Sequence, residues 1–394
     1  MRKAFFIPWG SRSDSKVLAN DLRSLLSETA KQQVKDVMES EPAMIAESKE
    51  IESGRMKAIV RERFGSPDVL QLKELEKPAP DDVHGVLVKI YASSVNAADR
   101  YEIRGPPSFL LRLALFRSGV RRPKEQRVGS DISGRVEAVN NNVTQFKPGD
   151  EVYGVCNGAY AEYATAKENR IALKPTNRSF EETAAVPIAG LTALQALRNH
   201  GHIKPGQKVL VNGAGGGVGT FAVQIAKSFG AEVTAVTNTE NTDMARSLGA
   251  DHVIDYTKED FTKNGQRYDL IVDTASSHSI STYKRILNPN GTFVLVGMRD
   301  KIIRRLLSFI IGARLSRGDK KFKFFVARSN QEDFVTLKEL MEAEKIVPVI
   351  DRRYSLGETA QAVRYFEEGH TRGKIVITTD HADQKPWLSM AKTA

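Results

Sequence analysis

Residues 209–219 read Val-Leu-Val-Asn-Gly-Ala-Gly-Gly-Gly-Val-Gly, and Phe221, Ala222, Val223, Ile225 and Ala226 come next at helical spacing. An apolar strand, a glycine-rich turn and an apolar helix, in that order, make a pyrophosphate-binding βαβ unit. The turn must be tight, the backbone must close on the phosphates, and the helix presents its first N–H groups to an anion. With Gly219 as the last glycine of G-x-G-x-x-G, the middle one is Gly216 and the first place falls on Ala214, where a small residue still serves. Glycine turns also close ordinary helices, so the context matters. The segment predicts a dinucleotide, with the N–H groups of Gly215, Gly216, Gly217, Val218 and Gly219 offered to its pyrophosphate.

The surroundings agree. Short apolar runs at 208–214, 232–237, 252–256, 270–274 and 292–297 alternate with helical patterns such as 243–248 and 280–287. That alternation predicts a doubly wound parallel sheet. Upstream, 86–92 and 131–139 carry β-branched or alternating runs. A Pro-Gly turn at Pro148 and Gly149 leads into another strand, so this part reads as mostly antiparallel and barrel-like. After the parallel region come helices over 333–343 and 359–368 and a last strand over 374–379. The expected layout is an extension over 1–55, a first domain over 56–180, a nucleotide domain over 181–325, a return to the first domain over 326–380, and a tail over 381–394. In the extension, Val17, Leu18, Leu22, Leu25 and Leu26 suggest one amphipathic helix. Its many acids speak against a mitochondrial transit peptide.

The 394 residues exceed one ordinary core. A single cysteine, Cys156, excludes an internal disulfide and any cysteine-rich zinc site. It fits a reducing, cytoplasmic setting. No apolar run approaches a membrane span. The net charge of +10 is concentrated: nine basic residues face Asp300 and Asp319 within 299–323, and six face Glu125 within 112–127. Such segments either attract phosphates, anionic lipids or nucleic acid, or are solvated loops; a nucleic-acid partner is not expected. Residues 302–311 mix Arg304 and Arg305 with bulky apolar residues. They read either as peripheral contact with an anionic membrane surface or as a helix packed over a cleft or interface.

Several motifs are recognisable: Ser94-Val95-Asn96-Ala97-Ala98-Asp99, Val128-Gly129-Ser130-Asp131-Ile132-Ser133-Gly134, residues 146–154, Ala189-Gly190-Leu191-Thr192-Ala193, the glycine turn, and Ser247-Leu248-Gly249-Ala250-Asp251. In this order, across about 56–380, the chain resembles the medium-chain dehydrogenase/reductase superfamily, in its zinc-independent, quinone oxidoreductase-like (zeta-crystallin-like) branch. The resemblance implies an α/β chain: a GroES-like β-barrel catalytic domain beside a Rossmann sheet, with the active site in the cleft between them. It also implies an NAD(P)H cofactor, NADPH being usual in this branch with NADH as the alternative, and allows a homodimer. Zinc alcohol dehydrogenases of the superfamily take a Cys and a His from two of these motifs. Asn96 and Ser130 stand in those places, and neither replaces thiolate or imidazole. Without zinc to polarise a carbonyl, a small, already electrophilic acceptor is expected: a quinone or an α,β-unsaturated carbonyl.

Tyr101, five residues after Asn96, matches a cleft tyrosine of the branch; it either donates to the acceptor oxygen or walls the pocket. Asn96 is expected to orient the nicotinamide ribose or the substrate. Asp99 is expected to pair with Arg104 or a backbone turn. Ser130 and Thr192 match positions near the cofactor, against the alternatives of a strand-end hydroxyl serving its own backbone and a helix cap. Gly297 and Met298, after the fifth parallel run, are expected beside the nicotinamide. For the adenosine end, Thr237 and Asn238 close the second run without an acid, which disfavours NAD, although Glu240 would repel a 2′-phosphate. Tyr256 matches a tyrosine near that phosphate in relatives, and Arg246 is a further candidate. Two rivals remain: an enoyl-thioester reductase of the same superfamily, and a weakly catalytic NADPH- and RNA-binding protein.

Overall fold

The computed structural model describes residues 54–81, 85–105, 123, 126–275, 278–296 and 319–381. The candidate helix over 17–26, most of both basic segments, the 302–311 stretch, and Gly297 and Met298 lie outside these. The chain divides into one unit up to Gly54 and a second from Arg55 onward, and the second unit holds every strand and helix named below.

It opens with an antiparallel ribbon, β1 (Arg55–Arg61) and β2 (Leu70–Glu76). Then come β3 (Val86–Ser94), helix α1 (Ala97–Arg104), β4 (Asp131–Val139), β5 (Glu151–Val155), β6 (Tyr163–Ala166) and β7 (Ile171–Leu173). Two later strands, β14 (Ile350–Ser355) and β15 (Lys374–Thr378), join this group in a seven-stranded sheet ordered β14-β15-β3-β4-β5-β7, with β6 also on β3. All its pairings are antiparallel except β14 with β15. Its inward side chains, among them Val86, Val88, Ile90, Ile132, Val136 and Val152, alternate along the strands and form one core.

Helices α2 (Phe180–Ala184) and α3 (Pro187–Gln195) lead into the second sheet. Its members are β8 (Lys208–Asn212), β9 (Glu232–Thr237), β10 (His252–Asp255), β11 (Tyr268–Asp273), β12 (Leu287–Leu295) and β13 (Lys321–Phe324). All run parallel, in the order β10-β9-β8-β11-β12-β13. Both faces are covered, as the uninterrupted apolar runs require. Val209, Val211, Val233 and Ala235 pack with helix α4 (Gly217–Ser228), whereas Leu210, Val236, Ile271 and Phe293 pack with helix α6 (Ile280–Ile286). Helix α5 (Thr242–Ser247) crosses from β9 to β10. Helix α7 (Gln331–Glu342) sets Phe334, Leu337 and Met341 into the same core as α4, and helix α8 (Thr359–Glu368) precedes β15.

Three sequence expectations change in detail. The charge-dense tract over 299–323 ends in a sixth parallel strand, because Phe322 and Phe324 turn inward while Lys321 and Lys323 stay exposed. Thr192 stands inside α3 rather than opening a helix, since the helix begins at Pro187. Arg104 pairs with Glu367, so of the two expectations for Asp99 the backbone turn is the one found, its carboxylate accepting the Asn96 N–H. Among the described residues no helix is long and apolar enough to cross a membrane.

Candidate active site

In the parallel sheet the chain leaves β8 toward β9 on one side and returns to β11 on the other, so a crevice opens at the carboxyl end of β8. The glycine turn fills that place. The N–H groups of Gly213 and Ala214 donate to Val236 O at 3.1 and 3.0 Å, which ties the turn to β9. The Gly216 N–H bends back to Gly213 O at 3.2 Å. Gly217, Val218 and Gly219 are the first three residues of α4, whose N–H groups have no carbonyl one turn behind them. Donors of this kind suit an anion, and the Gly216 N–H, expected among them, is instead used inside the turn. Beyond Gly216 there is room: a β-carbon there would find only Gly213 O, at 3.6 Å.

At the end of β9, Thr237 is buried, and Asn238 and Asn241 close the next turn. A β-carbon on Gly215 would lie 2.6 Å from Asn241 Nδ2 and 2.8 Å from Thr237 Oγ1. The Oδ1 atoms of Asn238 and Asn241 are buried without a hydrogen-bond partner. An unpaired buried acceptor is costly. Here two lie one strand end away from the anion donors, at the place where doubly wound sheets hold the ribose of a dinucleotide. The residues thus fit such a cofactor. Tyr256 is 58% exposed beside this edge, and its N–H bonds Thr237 O at 2.9 Å. Asp255, whose carboxylate the hydroxyls of Thr239 and Thr257 hold well below the usual range, is engaged with them and with Lys258. Arg246 pairs with Asp243 on α5.

The first sheet brings a buried polar junction up to this turn. The Gly373 N–H donates to Gly215 O at 2.9 Å, and Gly216 and Gly373 form a parallel bridge. Lys374, 3% exposed, runs its stem past Gly217 and donates from Nζ to Val95 O at 2.9 Å and Asn96 Oδ1 at 2.6 Å, with Asp131 Oδ2 at 3.5 Å. Asn96 Nδ2 donates to Asp131 Oδ2 at 2.8 Å and to Ser94 O at 3.3 Å. The other Asp131 oxygen accepts the Ile188 N–H at 3.0 Å, in the first turn of α3. One carboxylate therefore joins β4, α1 and α3.

Below it, Asp99 is fully buried. It accepts the Asn96 N–H and the Tyr160 hydroxyl, both at 2.7 Å, and the Ser130 hydroxyl at 3.2 Å. Burial pushes its carboxyl up to about 7, against those hydrogen bonds and with help from the neighbouring Asp131 charge. Burial also raises the Tyr160 phenol and holds the Lys374 ammonium below its ordinary range.

The structure thus gathers Asn96, Ser130 and the glycine turn around one junction. Both donors of the Asn96 carboxamide are engaged inside the protein, and the Ser130 hydroxyl serves Asp99. Tyr101 is half-buried on α1, more than one helical turn beyond Asn96. Thr192 bonds back to Ile188 O at 2.6 Å within α3. Sequence reasoning missed Lys374, Asp131, Tyr160 and Asn241. Lys374 carried one signal: a lysine after a glycine at the head of the apolar run Ile375, Val376 and Ile377 has no solvent side to occupy. Among the described residues, no group of three or more His, Cys, Asp or Glu side chains is placed to hold a metal ion.

Known proteins resemble this chain along most of its length. Residues 82–176 match the alcohol dehydrogenase GroES-like domain, and residues 248–377 match a family described as zinc-binding dehydrogenase. A 2-methylene-furan-3-one reductase of Solanum lycopersicum is 34% identical over 82% of this chain and 79% of its own length. A chloroplastic quinone oxidoreductase of Triphysaria versicolor is 31% identical over 82% of this chain and 98% of its own. The solved structure of the quinone oxidoreductase from Coxiella burnetii superimposes with a TM-score of 0.71 at 29% identity, covering 83% of this chain and all of that one. By both sheets, the glycine crevice and the likeness to these relatives, the chain belongs to the medium-chain dehydrogenase/reductase superfamily, in its quinone oxidoreductase-like branch.

Proposed function

We propose that this oxidoreductase uses NADPH, without zinc, to reduce a quinone or an α,β-unsaturated carbonyl compound. The observation that carries the reading is the pairing of an anion-binding glycine turn with a cleft motif that has Asn96 and Ser130 where zinc relatives have Cys and His. Bound at the turn, the cofactor would supply a hydride to an electron-poor carbon. The chain's own part is positioning and charge stabilisation. The α4 N-terminus holds the pyrophosphate, and Asn238 and Asn241 take the adenosine end. Tyr101 donates to the acceptor oxygen as negative charge develops there. The preference for NADPH is supported by a β9 end without an acid and by Asp255 being engaged elsewhere.

The test is oxidation of NADPH and NADH by the full chain, before and after treatment with a chelator. The acceptors are 1,4-benzoquinone, 2-cyclohexenone and crotonyl-CoA. Turnover with the quinone or the enone, faster with NADPH and unchanged by chelation, is expected. No oxidation with any acceptor would refute the reading, and turnover with crotonyl-CoA alone would move it to enoyl thioesters. Tyr101→Phe should lower kcat about 10²-fold with little change in KM; an unchanged kcat would make the ring a wall only.

A further inference from the structure

We infer that Lys374 is a positioning residue, the cation that fixes the Asn96 carboxamide and, through it, the cleft wall against the glycine turn. The proposal rests on the functional reading above and adds a residue to it.

An asparagine amide can sit two ways round, and its neighbours decide which. Here the ammonium of Lys374 stands 2.6 Å from Oδ1, while Nδ2 lies 2.8 Å from the Asp131 carboxylate. A flipped amide would set N–H against ammonium and oxygen against carboxylate. The cation and the anion together therefore hold one orientation. All three Nζ donors have an oxygen to face, so the lysine is saturated inside the protein. Asn96 is also the residue from which α1 starts, and α1 carries Tyr101.

The same lysine touches the other half of the site. Its stem lies so close to Gly217 that a β-carbon there would be 2.9 Å from Lys374 Cδ, and its neighbour Gly373 donates to Gly215 O. Lys374 thus spans the turn that holds the dinucleotide and the motif that faces the acceptor. Its ammonium is turned to Val95 O, Asn96 Oδ1 and Asp131 Oδ2 and not to the first N–H groups of α4. Removing it should disturb the meeting of the two reactants more than the binding of either.

The test is Lys374→Met in the full chain labelled with ¹⁵N-asparagine. The Asn96 side-chain amide signal, assigned by its loss in Asn96→Ser, should shift and exchange faster with solvent. The Kd for NADPH, read by nicotinamide fluorescence, should stay within about threefold. The kcat with 1,4-benzoquinone should fall about 10- to 100-fold, the scale set by misplacing a reactant. The Lys374→Met/Asn96→Ser double variant should be no slower than the worse single one. An unmoved Asn96 signal would overturn the proposal. So would a loss carried wholly by the NADPH Kd, because Lys374 would then be a phosphate contact. If Lys374→Met leaves the Asp131 charge unpaired and the chain does not fold, Lys374→Met/Asp131→Asn is compared with Asp131→Asn alone, and a further shift of the Asn96 signal with a further fall in kcat is expected; no difference between the two would overturn the proposal. A wild-type chain that reduces no acceptor would end the functional reading alone; the Asn96 signal and the Kd would still decide for or against Lys374.

Discussion

A β-carbon on Gly219 would stand 2.1 Å from Gly213 O and 2.7 Å from Ala214 Cα, both backbone atoms of the preceding turn. Backbone cannot swing aside as a side chain can. Gly219→Ala should therefore destabilise the protein by about 1–3 kcal/mol in urea titration and weaken NADPH binding more than tenfold. Gly216→Ala, with only one atom nearby at 3.6 Å, should cost less than about 1 kcal/mol. Equal losses would remove the steric argument. Asp99 gives a prediction in pH. An unfolded aspartate titrates near 3.9, and burial raises the folded carboxyl to about 7. Between these values the native state holds a proton that the unfolded chain has lost. Stability from this group is thus full below about 4 and declines as pH rises toward 7. Asp99→Asn should flatten that decline in urea midpoints measured across the interval; an unchanged slope would place the titration elsewhere.

Strand β15 ties the two sheets together. It pairs with β3 and β14 in the first, and the residue before it bonds the glycine turn of the second. Gly373 sits at φ +80°, and a β-carbon on it would lie 2.4 Å from Val349 O. Gly373→Ala should cost about 1–3 kcal/mol and weaken NADPH binding together with stability. Loss of stability alone would mean that the bridge to Gly215 has no bearing on the cofactor. Elements of this kind were unevenly legible in the sequence. The β4 and α8 bounds, 131–139 and 359–368, come from apolar periodicity because each element buries one pattern against one core. The strand β13 was hidden because an edge strand needs only two inward phenylalanines, and Lys320, Lys321 and Lys323 mask them. The glycine turn was readable because a tight passage from strand to helix constrains local sequence. The junction was not, because Asn96, Asp131 and Lys374 come from three distant segments and no local pattern joins them.

Across the whole molecule, a net charge of +10 creates a field that favours an anionic cofactor. Raising salt from ~0.01 M to ~0.1 M shortens the screening length from about 30 Å to about 10 Å. The KM for NADPH should then rise about 2- to 10-fold, while kcat stays constant. A KM indifferent to salt would confine recognition to the turn. The bond between Gly373 and Gly215 has a further consequence, in the order of synthesis. A ribosome releases the glycine turn long before it reaches the strand that braces it, so a nascent chain has its nucleotide-binding helix but not the wall it works against. A chain truncated just before Gly373 should fold much of its parallel sheet yet lack a finished crevice, which makes the arrival of β15 a late checkpoint of activity.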